Sequence, residues 1–385
     1  MFKLAVRSLL RHPWRAILTI GSLCVAIFLL CVLRSLLTTM DAGVEAANRQ
    51  RLWVQSAVSL FIDLPLPYQT KIAEVPGVRR VVKWQWFGGY YQDRSNFFAQ
   101  FAVDPAPLFE MWPEAQIVEG SREEFLADRR ACVIGQGLAS DFGWKVGSTI
   151  PIIGTIFALP DESAWEFQVA AIYRATKPSI DDRTLFFHWD RLEKTVEDVL
   201  ERTPSVGVYV LELDPGADAA RTMASVDALF ENGPQRVQTM TEAAFQRQFV
   251  TMLGNLPRLL GFIGGAVLIA VLLACVNTML LQAREQLREI GVLKALGFSD
   301  GSSARLLLLQ SLALCAAGGV AGIGLALLTE APLANLLARN FPGYEVKAGT
   351  FAMAVVATLF VGFVSGAVPS RLASRLRPVE ALRPH

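Results

Sequence analysis

His188 stands in the stretch Asp181-Asp182-Arg183-Thr184-Leu185-Phe186-Phe187-His188-Trp189-Asp190, beside three carboxylates in sequence. An imidazole oriented by carboxylates could pass a proton near neutral pH or hold a metal. The spacing fits no recurrent metal pattern, and the other histidines, His12 and His385, lie far away. The favoured reading is a partly exposed loop histidine. Nucleotide chemistry is missing as well: no Gly-Lys dipeptide occurs, so there is no Walker A loop. His-Glu-x-x-His is absent. Of five cysteines, Cys24, Cys31, Cys275 and Cys315 fall in apolar runs, where they act as small hydrophobes. Cys132 is alone in the polar part, so no disulfide can form there. These observations predict a non-catalytic chain with no cofactor of its own.

The stretch that is built for contact is QAREQLREIGVLKALGFSDGSSAR, Gln282 to Arg305. Leu287, Ile290 and Leu293 with Lys294 recur at helical spacing, while Arg284, Glu285, Arg288 and Glu289 cover the other side. Gly291 lies within this run, Gly297 offers a helix stop, and Ser299, Asp300, Ser302 and Ser303 offer caps for a following helix. A short amphipathic element between two apolar runs reads as a docking surface held at a membrane face.

Its position follows from the flanking runs. Leu259 to Leu281 is uncharged over about 23 residues, enough to cross a hydrocarbon core of about 30 Å. Comparable runs occupy Ile17–Leu37, Leu306–Leu328 and Phe351–Val368, the last closed by Pro369. The first follows Lys3, Arg7, Arg11 and Arg15. Its apolar core is longer than that of a signal peptide and no small-x-small cleavage site follows, so a retained helix is expected. Gly318, Gly319, Gly322 and Gly324 in the third run permit close helix packing and, with the small residues of the second, contact between two such chains. No run carries an ionisable residue near its centre, unlike the ion paths of secondary transporters.

The chain of 385 residues is 52% hydrophobic and 18% charged, which suits a multi-pass protein with one large aqueous domain. A net charge of +1 gives no electrostatic reason to expect nucleic acid. Expected divisions are a cytoplasmic N-terminus with helix 1 (1–39), a core domain (40–255), helix 2 (256–282), a coupling loop (283–304), helix 3 (305–329), a short outer loop (330–349), helix 4 (350–369) and a basic tail (370–385). Lys and Arg gather in the N-terminus, the 282–305 segment and the tail, against two in 330–350 (Arg339, Lys347). The positive-inside rule then sets both termini in the cytoplasm and the core domain outside, with the protein in the cytoplasmic (inner) membrane among its lipids.

Within 40–255 the pattern predicts an α+β domain of two lobes. PYQTKIAEVPGVRRVVKWQWF reads as a short helix, a Pro-Gly turn and a strand. Asn96–Val103, Phe167–Tyr173 and Val206–Leu213 read as strands, the last apolar enough to be buried on both faces. Met223, Val226 and Phe230 form one stripe of a helix over 219–230. The aromatic run Trp84, Trp86, Phe87, Tyr90, Tyr91 could be a surface for acyl chains or an apolar peptide, or ordinary sheet core with its Trp and Tyr at the edge.

At Arg288–Gly297, REIGVLKALG, the sequence resembles the cytoplasmic coupling segment of MacB/FtsX-type ABC transporter permeases, including LolC/LolE and DevC relatives. LAVRSLLRHPWRAILTIG is similar to that family's lead into its first helix, and IAEVPGVRRV with ACVIGQGLASDFGWKVGSTIPI resembles its periplasmic core domain. ASRLRPVEALR resembles the closing Pro-x-x-Ala-Leu-Arg motif, at Pro378, Ala381, Leu382 and Arg383. The order of one span, a large outer domain and three spans matches too. The resemblance implies a non-catalytic permease that pairs with a second permease copy, identical or homologous. It also implies two copies of a separate ATPase subunit, which bind the ATP and Mg. Arg288, Glu289, Ile290, Gly291 and Leu293 would insert into the ATPase groove, and ATP-driven motion would pass through the helices to the outer domain. Export or extraction of a substrate is the implied function, with a periplasmic adaptor or outer-membrane component as further partner. The alternative within the family is an FtsX-like regulator of an outer hydrolase or sensor.

Overall fold

A computed structural model describes residues 13–252, 256–286, 300–337 and 343–374. They fall into two units: the chain up to Thr39 together with the chain after Met252, and Met40–Met252. Of the expected coupling residues, Leu287, Arg288, Glu289, Ile290, Gly291, Leu293, Lys294 and Gly297 lie outside the described residues, as do most of the N-terminal flank and of the basic tail.

Among the described residues, four helices are long and apolar enough to cross a membrane: Pro13–Ala46, Pro257–Glu285, Ala304–Leu328 and Ala348–Arg371. At 34 residues the first would extend about 51 Å, well beyond the hydrocarbon thickness. Side-chain contacts fix their directions. Arg15 pairs with Glu285 at 2.8 Å, while Gly264 faces Leu30 and Leu33, so the first two run antiparallel. Gly318 packs on Ile20 and Leu23 and Gly322 on Cys24 and Ile27, so the first and third run parallel. Ser311 Oγ donates to Gly362 O at 2.7 Å and Ser370 Oγ to Ala304 O at 3.0 Å, so the third and fourth run antiparallel. The four helices therefore alternate in direction.

Two readings of these helices need correction. Gly318, Gly319 and Gly322 are not free to seat a second chain, because they are filled by the first helix and by Thr358 of the fourth. Pro369 does not close the fourth helix, which continues to Ser374. Its polar side chains stay within the bundle: Ser370 Oγ also meets Gly366 O at 2.6 Å.

The Met40–Met252 unit is α+β. One mixed sheet of 11 strands runs through it in the order β13-β1-β12-β3-β5-β10-β7-β9-β8-β4, with β6 added on β9. The strands are β1 (Arg51–Ser56), β3 (Val78–Trp86), β4 (Gly89–Tyr90), β5 (Ala99–Val103), β6 (Ala115–Gly120), β7 (Ala131–Gly135), β8 (Thr149–Gly154), β9 (Trp165–Ala175), β10 (Thr184–His188), β12 (Val208–Leu213) and β13 (Val237–Thr241). A two-stranded ribbon, β2 (Leu64–Pro65) with β11 (Ser205–Val206), stands apart. Pairing is antiparallel except for β5 with β10 and β7 with β9. The two lobes share this sheet: β13, β1, β12 and β3 form one end and β7, β9, β8 and β4 the other.

Alternation along the strands sends residues to opposite faces, and each face carries its own core. Leu52, Val54, Tyr209, Leu211, Cys132, Ile134 and Phe187 belong to one cluster. Trp53, Val208, Val210, Val133 and Phe186 belong to the other. Val208–Leu213 is buried on both faces, apart from the half-buried Glu212. The Ala219–Leu229 helix begins where Asp218 accepts from Ala220 N and Arg221 N, and lays Val226 and Phe230 on the first core. Gly135 ends β7 where Asp182 O would stand 1.8 Å from any Cβ, so only glycine fits.

Candidate functional site

The described ends of the 282–305 segment are helical. Gln282–Glu285 form the last turn of the second long helix, and Asp300–Arg305 belong to the third. Ala283 and Leu307 form a small apolar cluster that brings these two roots together. Arg15 on the first helix holds Glu285, and Ser370 on the fourth reaches Ala304. All four helices thus meet where the segment departs. Arg284 is exposed there. By their alternation, this end also holds the start of the first helix and the end of the fourth. Thr39, Glu330 and Lys347 belong to the opposite end.

The aromatic run does not form one face. Trp84 and Phe87 are buried, in different cores on opposite sides of the sheet. Neither offers a surface. Trp86 is half-buried and meets the exposed Phe97 and the half-buried Phe101 at ring-centroid distances of 5.7 and 5.1 Å. Tyr90 is half-buried, and Tyr91 packs edge-on against Phe142 and Trp144. The run is sheet core with a Trp and two Tyr at its margin.

His188 is not an exposed loop residue. It ends β10, is 3% exposed, and its Nε2 lies 2.6 Å from Phe125 O, so that nitrogen carries the proton and donates. Burial pushes its pKa below the ordinary value, which keeps the ring neutral. Asp181 turns to Arg183 N at 3.0 Å, and the backbone of Asp182 packs on Gly135. The sequence cluster is dispersed by the fold, and no group of His, Cys, Asp and Glu able to hold a metal occurs among the described residues.

A cluster the sequence did not announce lies in the domain. Arg51, at the start of β1, is 1% exposed. Its Nη2 donates to Glu114 Oε1 at 2.9 Å and its Nε to Glu242 Oε2 at 3.0 Å. Nη1 donates to Met111 O at 2.7 Å, and the guanidinium lies 5.2 Å from the Trp112 ring centroid. Glu114 and Glu242 are 5% and 0% exposed. Glu242 Oε2 also accepts from Asn48 N at 2.6 Å, whereas Oε1 has no hydrogen-bond partner among the described residues. Burial, only partly offset by Arg51, raises the Glu242 carboxyl above its ordinary pKa.

With this geometry in hand, comparison with known proteins decides the family. The family model described as the MacB-like periplasmic core domain matches residues 16–229, and that of the FtsX-like permease C-terminal region matches 261–378. The chain belongs to the MacB/FtsX-type ABC transporter permeases. An ABC transporter permease of Methanocaldococcus jannaschii is 26% identical over 327 residues, 81% of this chain and 77% of that one. The pyoverdine export ATP-binding/permease protein PvdT of Pseudomonas fluorescens is 34% identical over 155 residues, 40% of this chain. The macrolide export ATP-binding/permease protein MacB of Agrobacterium fabrum is 28% identical over 207 residues, 53% of this chain. The matched segments span only 22% and 31% of the latter two proteins. The periplasmic region of MacB from Actinobacillus actinomycetemcomitans matches 54% of this chain and 95% of its own at 9% identity and a TM-score of 0.39. Permeases of this family are generally non-catalytic and work with an ATPase. This MacB/FtsX-type permease holds no Walker A loop in its own sequence.

Proposed function

We propose that the chain is the permease subunit of an ABC transporter that carries ATP-driven motion from a separate ATPase to its α+β domain. The substrate class is a lipid, lipoprotein, peptide or small hydrophobic molecule, moved by export or extraction. One observation carries the reading. The four helices alternate in direction, so Glu285 and Ala304, on either side of the docking segment, share one end with Arg15, Arg284 and Arg371, while Thr39 lies at the other. Under the positive-inside rule that basic end is cytoplasmic and the domain is periplasmic. The names of the relatives PvdT and MacB favour export over FtsX-like control of an outer hydrolase or sensor.

Two ATPase subunits and a second permease copy complete the assembly. The copies meet through the second helix, whose Gly261 and Gly265 would have no described residue within 4 Å of a Cβ and whose Phe262, Ile269 and Leu273 are exposed. A periplasmic adaptor or outer-membrane component is the further partner. Ile290 and Leu293 enter the ATPase groove, with Arg284, Leu287, Arg288, Glu289, Gly291, Lys294 and Gly297 around them. Ile290→Asp places a carboxylate in that apolar contact and weakens ATPase association about 10–10³-fold. Co-purification of the ATPase with wild-type and I290D permease tests this. Equal ATPase recovery and equal ATP turnover would overturn the docking reading.

A further inference from the structure

We propose that Arg51 is a positioning residue that locks the two chain segments joining the domain to its membrane helices into one rigid unit. The inference rests on the transmission reading above and names the device that makes transmission possible. Arg51 lies five residues beyond the Pro13–Ala46 helix, and Glu242 opens the Glu242–Met252 helix that leads towards the Leu256–Glu285 helix. The leading-in and leading-out segments are 191 residues apart in sequence, yet one guanidinium joins them. A third point is added by Glu114, next to β6, whose backbone O accepts from Thr176 N at 2.9 Å, just beyond β9.

Three further contacts work in the same direction. β1 and β13 are paired from Leu52 with Thr241 to Ser56 with Val237, so the lock sits at the end of a ladder. Trp53 of β1 stacks on Phe245 of the leading-out helix at a centroid distance of 4.0 Å and an interplanar angle of 13°. Asn48, between the first helix and β1, donates its N–H to the same Glu242 oxygen that Arg51 holds. β13 is an edge strand paired in the sheet with β1 alone, and the guanidinium ties the start of β1 to the helix that follows β13, so that a pull on either lead meets a second hold. With it, two leads moved by different membrane helices must move together. An Arg buried with two carboxylates is costly in desolvation, and such groups serve best where they fix one arrangement against alternatives.

Amide hydrogen exchange on the full chain in nanodiscs tests the proposal without any ATPase. In the wild type, amides of Arg51–Ser56 and of Val237–Phe245 should exchange slowly and at matching rates, as one cooperative unit. Rates differing more than tenfold between the two segments would overturn the proposal. R51M leaves two buried carboxylates unpaired and risks misfolding, so R51M/E114Q/E242Q, which leaves no unpaired charge, is the second variant. In it both segments should exchange about tenfold faster or more, as expected for lost charge-assisted bonds, while β7 and β9 keep wild-type rates. No acceleration at either segment would mean that Arg51 ties nothing. Equal acceleration in β7 and β9 would mean that it is a general stabiliser. Both results refute the inference. Repeating the measurement with the ATPase and ATP separates it from its premise, because absence of any ATP-linked change in the wild-type domain refutes transmission and leaves the lock standing.

Discussion

Gly322 and Gly324 lie two residues apart on one membrane helix and meet opposite surroundings. A Cβ at Gly322 would stand 2.6 Å from Cys24 O and 2.9 Å from Ile27 Cβ, whereas one at Gly324 meets nothing within 4 Å. Ordinary carbon contacts lie near 3.5–4.0 Å, so Gly322→Ala must push the first and third helices apart by roughly 0.5–1 Å. The obstructing oxygen belongs to helix backbone and cannot rotate aside. Both substitutions gain about the same in helix propensity, up to about 1 kcal/mol, so comparing them isolates the packing cost. Overpacking of this kind costs about 1–3 kcal/mol. Cys31, Cys275 and Cys315 are buried inside the bundle and report its opening to a thiol-reactive fluorophore once the half-buried Cys24 and Cys132, buried in the domain, are replaced by Ala. The midpoint of thermal opening in detergent should fall for G322A relative to G324A by about 2–10 °C. Equal midpoints would refute the packing of the third helix on the first, and with it the parallel direction on which the topology argument depends.

Three more expectations can be checked. In intact cells, an impermeant thiol reagent should label Cys at Glu123 or Ala220 and not at Ser299. Both outer positions are exposed and spare the helix caps at Ser121 and Asp218, and labelling of Ser299 alone would reverse the orientation. Native mass of the purified, ATPase-active complex should show two permease chains; one would refute the proposed contact through the second helix. The last concerns pH. Because burial raises the Glu242 carboxyl, the native state binds that proton more tightly than the unfolded chain, so stability is lost as pH rises from the ordinary value of 4.5 through the folded value. Asp104, Asp181, Asp182 and Asp227 share that sign, and His188, held neutral by burial, has the opposite one, losing stability as pH falls below 6.5. Glu242→Gln removes only the first contribution. Its melting temperature should gain on the wild type as pH rises from 4.5 to 8, and a constant difference would refute the assignment.

What the sequence made legible is what local pattern dictates. Long uncharged runs announce spans because lipid offers backbone groups no other partner, and short apolar runs such as Phe167–Tyr173 announce strands because a strand between two cores is buried on both faces. The stripe Met223, Val226, Phe230 reads as a packed helix because its apolar side must be buried, and all three lie on or against the core. Errors came where a residue's role depends on what the fold brings to it. His188 looked exposed because its neighbours in sequence are charged, yet β10 carries it beneath Phe125. The third-helix glycines looked available to a second chain because nothing in their own sequence shows the first helix already lying on them. The Arg51 cluster was hidden most completely. Its members are 63 and 191 residues from Arg51, and each is unremarked locally: Glu242 sits where an acid suits a helix start, and Glu114 follows a proline turn. One signal was present. Arg51 heads RLWVQS, a run whose later members read as buried strand, and a cation that joins such a strand must find buried carboxylates or stay out of it. A charge at the margin of a fully buried strand is therefore a sequence-level prompt to look for distant acids, and here one of them, Glu242, opens the helix that leads to the second membrane helix.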